Sequence, residues 1–190
     1  GAGGELLLRW IQNGIFQPRF CINSANNDNT VTQPWMYEEN LPYVQAAYAQ
    51  RYRMIPYLYS VMRESHENGM PVMRPLFLEF PEDVKCYRDQ NLTFMFGPSV
   101  LVANVVEKGA ITRTIYLPKG TTWYDMNDNF KAYEGGQTIE LPVDFKLNSD
   151  VLKRFRCLYD NGRYPSYRKR YDESTGFVRK LRRGCRIYIL

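Results

Sequence analysis

The stretch from Glu5 to Trp35 constrains the fold of this chain more than any other. The apolar residues of Glu5–Asn13 cover most of a helical circumference. This predicts a short helix that is buried on more than one side and ends at Gly14 in the left-handed conformation. Ile15–Ile22 is too short and too evenly apolar for a surface helix, so we predict a buried parallel strand. The Asn-rich run Asn23–Thr32 then predicts a long loop. Helix, buried strand and polar loop in this order are typical of an α/β barrel, whose chemistry lies on the loops after the strands.

A second and longer helix is predicted over Asn40–Asn68. Asn40 suits the N-cap, and Gly69 suits the helix end. Pro56 removes one backbone hydrogen bond, so we expect a kink or two abutting helices there. His66 falls in the last turn, where a cation near the helix end is a better interpretation than a catalytic base. One apolar face is predicted from residues spaced by three or four: Val44, Tyr48, Tyr52, Ile55 and Tyr59.

The pattern changes after Met70 to short strand-like runs separated by Gly and Pro. Val72–Phe80 is predicted as one strand, and Asn91–Val106 as two strands joined by a turn at Gly97. Thr112–Leu117 alternates between polar and apolar residues, and Gly135-Gly136 is predicted as a hairpin turn before a last alternating strand. Short alternating strands at this spacing predict a small antiparallel β-sandwich.

The cysteine and histidine content excludes several kinds of site. The four cysteines form no CxxC pair, and the single histidine, His66, cannot complete a zinc finger, so we expect free thiols, no metal and no cofactor. No apolar run reaches about 18 residues, so we expect no membrane span. These observations favour a soluble protein and leave open whether the compartment is a bacterial cytoplasm or periplasm.

Six motifs occur in a fixed order between Glu5 and Phe145: ELLLRWIQNGIFQPRF, QPW, RMIPYLY, MRPL, FGPSVLVA and YLPKGTTWYD. Together they resemble glycoside hydrolase family 31, which contains α-glucosidases and α-xylosidases. The resemblance implies an α/β plus all-β chain, in which the C-terminal part of a (β/α)8 barrel is followed by a small antiparallel β-sandwich. We place the end of the barrel in residues 1–75 and the sandwich in residues 76–145, which makes the chain a truncated piece of such an enzyme.

The resemblance also implies a retaining mechanism with two Asp carboxylates about 5 Å apart. In the family both lie on earlier barrel strands, so no catalytic residue is assigned to this chain. The acidic residues near the predicted barrel mouth have plainer interpretations. Glu38 and Glu39 are adjacent at a helix start and point apart, and Asp28 suits a turn in an Asn-rich loop.

Substrate contact is the role that the resemblance leaves for this chain. Asn23 matches the position of a family histidine that hydrogen-bonds the sugar, and an amide can also donate to and accept from a hydroxyl. Arg19 matches an arginine of a bacterial branch of the family, while Cys21 stands where arginine is common. Trp35 would line the barrel mouth, although a packing role is an equally good interpretation. We therefore predict Asn23, Arg19 and Trp35 as substrate-binding residues.

The segment 146–190 differs from the rest in charge. It carries 13 of the 25 Lys and Arg residues but only four of the 20 Asp and Glu, a net charge of +9 against −4 for residues 1–145. The resemblance ends at the same point. Synonymous codons for Lys146–Cys157, read one base later, can spell the apolar NSIPMF strand of the family. We therefore predict a frameshifted or poorly ordered basic tail, rather than a nucleic-acid-binding segment with interleaved tyrosines.

Three functional hypotheses follow. The first is a fragment of a retaining, exo-acting α-glycosidase that hydrolyses O-glycosidic bonds in α-linked sugars. It would be inactive alone, and its partners would be carbohydrate and the N-terminal part of its own barrel. The second is a non-catalytic β-module that binds carbohydrate or another protein. The third is a basic-tailed nucleic-acid binder, which the negative charge of residues 1–145 disfavours. We favour the first, with no nucleic acid and no membrane as partner.

Overall fold

A computed structural model describes residues 3–23, 31–88 and 92–143, together with the backbone of 156–160. The helices are α1 (Gly4–Gly14), α2 (Leu41–Asn68) and the single-turn α3 (Leu76–Glu79), with 3₁₀ turns at Glu38–Asn40 and Val84–Tyr87. The strands are β1 (Met73–Pro75), β2 (Thr93–Phe96), β3 (Val100–Ala103), β4 (Thr112–Tyr116), β5 (Thr122–Asp125), β6 (Lys131–Glu134), β7 (Thr138–Pro142) and β8 (Arg156–Asp160).

The predicted first helix is confirmed as α1, but the expected role of Gly14 is wrong. Gly14 is the last helical residue, it is not among the glycines with positive φ, and Ile15 after it keeps right-handed dihedrals. Its lack of a side chain matters for packing instead. A Cβ placed on Gly14 would lie 2.6 Å from ring atoms of Phe20, so glycine lets the following chain fold back against the helix.

The predicted buried strand Ile15–Ile22 is wrong. These residues form a turn, bends and an extended stretch, and no strand among the described residues pairs with them. Ile15 and Phe16 are nonetheless fully buried in the core. The apolar content therefore predicted burial correctly, but burial does not require a β-ladder, and Pro18 removes one donor that a ladder would use.

The second helix has the predicted length but presents a different face. It runs without a break through Pro56, so two abutting helices are excluded, and it ends at Gly69 with φ of +77°. Of the predicted apolar face, Tyr52 and Tyr59 are 72% and 74% exposed and Ile55 is also exposed. Val44 of the predicted face is buried, and Tyr48 packs against the core. The other apolar residues that α2 buries lie about a quarter-turn away, at Ala47, Met54, Leu58 and Val61.

The strands form two antiparallel sheets. The larger has the order β1-β2-β3-β8-β5-β6, and the smaller pairs β4 with β7. The predicted β2–β3 hairpin is confirmed, with Gly97 at φ of +59° in its turn. The predicted hairpin at Gly135-Gly136 is wrong, because β6 belongs to the larger sheet and β7 to the smaller one. The two glycines instead cross between sheets, where Gly135 N–H donates to Thr121 (2.9 Å) and Gly136 N–H to Leu117 (2.7 Å).

The predicted strand Val72–Phe80 is correct only at Met73–Pro75, after which the chain turns into α3. Arg74 explains the change. Its side chain is 1% exposed and ion-paired with Glu79, five residues later, and its Nη2 lies 2.9 Å from Glu64 of α2. An extended chain would carry Glu79 away from Arg74, leaving a buried guanidinium with one carboxylate fewer.

The β2–β3 hairpin separates two hydrophobic cores, because alternate residues of a strand point to opposite faces. Phe96, Val100 and Val102 pack with α1 and α2, whereas Met95, Leu101 and Ala103 pack towards β4 and β7. Helices α1 and α2 and the smaller sheet thus cover opposite faces of the larger sheet, giving three layers.

Part of the basic segment lies inside the larger sheet. Arg156–Asp160 forms β8 between β3 and β5. The rest of 146–190 lies outside the described residues, and the frameshift stays a prediction. The domain boundary at residues 75 and 76 also stays a prediction, with the larger sheet beginning at Met73.

Candidate functional site

The turn after α1 is held by one side chain of α2. Arg51 Nη1 donates to the carbonyl oxygens of Ile15 (2.7 Å) and Gln17 (2.6 Å), and its Nη2 donates to that of Pro18 (3.1 Å). Burial lowers the pKa of the Arg51 guanidinium from its ordinary value, although arginine remains charged in proteins. The backbone carbonyls that a ladder would have satisfied are therefore satisfied by a cation.

The next residues are anchored by an aromatic contact. The Phe20 ring lies 5.4 Å from that of Tyr48 on α2, and both pack on the core formed by α1 and α2. Ile22 packs on the same core. Two apolar side chains of Arg19–Asn23 thus face inward, while Arg19 and Asn23 are exposed.

The structure brings two of the three predicted substrate-binding residues onto this one segment. Asn23 Nδ2 lies 3.6 Å from Cys21 Sγ, a weak contact, and the Trp10 indole N–H donates to the Cys21 carbonyl at 3.5 Å. Trp35 is 65% exposed on the turn before α2. Within residues 3–23 and 31–88, no hydrogen bond, ion pair or ring contact joins Trp35 to Arg19 or Asn23.

The segment offers hydrogen-bond donors and an amide rather than acid–base chemistry. Asp28 falls in 24–30, outside the described residues, and Glu38 and Glu39 are exposed on the 3₁₀ turn before α2. Glu64 and Glu79 do approach each other, but Arg74 binds both. Burial lowers the pKa of Arg74, but the hydrogen bonds that its guanidinium donates to the two carboxylates outweigh that effect and raise the pKa, so the three groups form a structural ion-pair network.

A second buried carboxylate, Asp83, also has a structural role. Burial opposes its ionisation, but hydrogen bonds from the backbone N–H of Lys119, the Tyr116 hydroxyl and the backbone N–H of Lys85 outweigh that effect and lower its pKa. The Tyr116 hydroxyl lies 2.7 Å from Asp83 Oδ2, and burial together with this carboxylate raises the tyrosine pKa. The cluster ties the 3₁₀ turn at Val84–Tyr87 to the end of β4.

The described residues offer neither a metal-binding cluster nor a membrane-spanning helix. No group of three or more His, Cys, Asp or Glu side chains there could hold a metal ion. No helix of the described ranges has the length and hydropathy to cross a membrane.

Arg51 is the residue of this site that sequence reasoning missed. The motif RMIPYLY begins two residues later, at Arg53, and a lone arginine on a helix carries no signal of its carbonyl partners. The available clue was Pro18 within an apolar run that cannot form a complete ladder, because its neighbouring carbonyls then need donors from elsewhere.

Two family models match the chain. The glycosyl hydrolases family 31 TIM-barrel domain matches residues 2–61, and the glycosyl hydrolase family 31 C-terminal domain matches residues 69–167. The second match extends past Phe145 and includes β8.

Relatives that are named as α-glucosidases agree with these matches. The chain is 39% identical over 140 residues to a probable glucan 1,3-alpha-glucosidase of Oryza sativa subsp. japonica, covering 73% of this chain and 15% of that protein. It is 34% identical over 185 residues to human neutral alpha-glucosidase C, covering 96% of this chain and 19% of that protein. The chain therefore spans less than a fifth of the length of these relatives.

A solved structure shows the same fold. The GH31 dextranase of Flavobacterium johnsoniae, as a mutant complexed with isomaltotriose, superposes with a TM-score of 0.72 at 33% identity, over 84% of this chain and 18% of that one. From the family models, the relatives and this fold, we conclude that the chain belongs to glycoside hydrolase family 31 and carries the end of its TIM-barrel domain together with its C-terminal domain.

Proposed function

We propose that this chain is the sugar-contacting C-terminal portion of a retaining, exo-acting α-glycosidase whose bond-breaking carboxylates lie on preceding strands of the same barrel. The observation that carries the proposal is the exposed segment Arg19–Asn23, held on α2 by Arg51 within the part that matches the family's barrel domain. The named relatives are α-glucosidases, and the dextranase structure contains an α-linked glucose oligomer, which supports an α-linked sugar as substrate class.

The three predicted residues suit different parts of a sugar. The Asn23 amide can accept from one hydroxyl and donate to another, and the Arg19 guanidinium can donate to ring or hydroxyl oxygens. The exposed Trp35 ring can cover an apolar sugar face. None of these groups can act as nucleophile or general acid in glycoside cleavage, so the chain is expected to bind sugar without cleaving it.

The test is an assay of the 190-residue chain with 4-nitrophenyl α-glucoside and α-xyloside, alongside a binding titration with isomaltotriose. We expect release of 4-nitrophenol at the buffer rate, and isomaltotriose-dependent NMR shifts across Arg19–Asn23 whose Arg19–Ile22 part is lost in Asn23→Ala. Turnover by the chain alone would contradict the assignment of the carboxylates to other strands. Binding that survives Asn23→Ala and perturbs only β4–β7 would favour the β-module alternative.

A further inference from the structure

We propose that Arg51 is a positioning residue for the sugar-contacting segment: its guanidinium replaces a neighbouring strand as the donor to the carbonyls before Arg19, and so sets where Arg19 and Asn23 lie. This inference rests on the proposed function, because it concerns the segment assigned to sugar contact. Its structural part can be measured without any sugar.

The backbone carbonyls of the turn after α1 receive their hydrogen bonds from Arg51 rather than from a neighbouring strand. Ile15, Gln17 and Pro18 lie in a segment that forms no β-ladder, and each accepts a hydrogen bond from Arg51. Charged donors make hydrogen bonds about twice as strong as neutral ones. The planar guanidinium, with its fixed fork of donors on separate nitrogens, reaches three carbonyl oxygens at once, whereas the three donors of a lysine ammonium all lie on one nitrogen atom.

The positive charge of Arg51 is directed at backbone carbonyls rather than at a carboxylate. None of the ion pairs among the described residues includes Arg51, and its three hydrogen-bond partners there are backbone oxygens. A half-buried cation without a carboxylate costs free energy that an apolar side chain at the same place would avoid. The arginine thus serves the carbonyls of the turn rather than the packing of α2.

The carbonyls bound by Arg51 lie directly before the candidate site. Pro18, the last residue bound by Arg51, directly precedes Arg19, and the next anchor is the Phe20 ring against Tyr48. Arg19 therefore lies between two anchored residues, Pro18 and Phe20. Asn23 follows three residues after Phe20. Loss of the Arg51 hydrogen bonds should increase the mobility of residues 15–23 while leaving the rest of α2 and the sheets intact.

The experiment compares Arg51→Ala and Arg51→Lys in the full chain with Arg53→Ala, a matched control on the same helix whose side chain is exposed. Amide hydrogen exchange is measured across the chain. In both Arg51 variants we expect exchange in residues 15–23 to rise at least about tenfold, the effect of losing one charge-assisted hydrogen bond. Exchange in β4–β7 should be unchanged, and Arg53→Ala should match the parent.

A chemical rescue separates positioning from general support of the fold. A non-denaturing concentration of guanidinium chloride should slow exchange in residues 15–23 of Arg51→Ala, because the free cation can occupy the vacated place. The same concentration of sodium chloride should not. Unchanged exchange in both Arg51 variants overturns the proposal. A rise that spreads to β4–β7 without rescue also overturns it, as does failure of both variants to fold.

A sugar titration links positioning to function and keeps the two claims distinguishable. With isomaltotriose as probe, shifts at Asn23 should appear in the parent chain, weaken in Arg51→Ala and return with guanidinium. A local exchange effect with no sugar-dependent shift in the parent would refute sugar contact and leave the positioning role standing. Sugar-dependent shifts that are equal in the parent and both Arg51 variants would overturn the positioning role.

Discussion

The helical and sheet regions of this chain expose large apolar side chains on different kinds of element. In the helical region, α1 buries Leu7 and Leu8 but exposes Leu6 and Trp10, and α2 likewise has a buried face and an exposed apolar face. In the sheet region, the β2–β3 hairpin is covered on both sides, by the helices and by the smaller sheet. The strands therefore expose none of the large apolar side chains of residues 92–143, although one face of the hairpin owes its cover to α1 and α2. The two helices, in contrast, leave a second apolar side facing outward.

This difference fits the two family matches. The TIM-barrel match covers residues 2–61, and helices of such a barrel pack against the sheet and against neighbouring helices. The C-terminal domain match covers residues 69–167, which include every strand that the structure describes. A self-contained domain buries its own strands, whereas barrel helices share their burial with other elements. The following variants test that contrast, beginning with the largest expected effect.

A matched pair of tryptophans gives the largest expected difference. Trp123 in β5 is fully buried, and its indole N–H donates to the Pro118 carbonyl at 2.9 Å, whereas Trp10 in α1 is 54% exposed. Trp123→Ala should lower the free energy of unfolding by roughly 3–5 kcal/mol, the range for large aromatic truncations in cores. Trp10→Ala should cost less than about 1 kcal/mol. Urea unfolding measures both, and equal losses would refute the contrast.

The ion pairs at the junction of the two regions give the next effect. Arg74→Ala leaves the buried Glu79 carboxylate without its cation, and we expect a loss of about 3 kcal/mol or more. Arg63→Ala removes an exposed pair with Glu67 on α2 and should change stability by less than about 1 kcal/mol. Both are read from urea midpoints. A small effect at Arg74 would mean that α2 and β1 are not coupled through this network.

Sequence reasoning succeeded where one periodicity had one structural meaning. The alternation of Thr112–Leu117 predicted β4 correctly, because Ile115 and Leu117 point into the core between the two sheets. The C-terminal end of α2 followed from Gly69, since a left-handed residue acts locally, whereas Asn40 precedes the helix without a side-chain capping hydrogen bond.

It failed where burial depended on distant parts of the chain. Both sides of α2 are apolar, so spacing alone could not tell which one packs on Phe16 and Phe96. Ile15 and Phe16 are buried without strand pairing because Arg51, 33 to 36 residues away, donates to the carbonyls of this turn. Gly135-Gly136 joins two sheets, and β8 from far along the chain lies between β3 and β5. The substrate roles of Arg19, Asn23 and Trp35 remain predictions.

Acid should weaken the sheet region through Asp83. Its pKa in the folded chain lies below the ordinary value of 3.8, so its stabilising contribution is present above that value and is lost as pH falls through the folded pKa. Asp83→Asn should remove this part of the acid dependence at a cost of roughly 1–3 kcal/mol near neutral pH. The exposed Asp128→Asn is the control. Urea unfolding from pH 7 to pH 3 measures the slopes, and identical slopes in parent and Asp83→Asn would contradict the prediction.

The exposed apolar face of α2 should make the chain prone to self-association while contributing little to folding. Tyr52 and Tyr59 lie one above the other near Ile55 and Met62, which are also exposed. The double substitution Tyr52→Lys and Tyr59→Lys should shift the chain towards monomer in sedimentation velocity, with stability changed by only about 0.5 kcal/mol.

A matched double variant on the same side of α2, Gln45→Lys with Ala49→Lys, adds the same charge without removing a large apolar side chain and should leave association unchanged. Equal gains in monomer from both double variants would show that net charge governs association. The uncovered side of the helical region would then have no special part in it, and the contrast with the sheet region would rest on core stability alone.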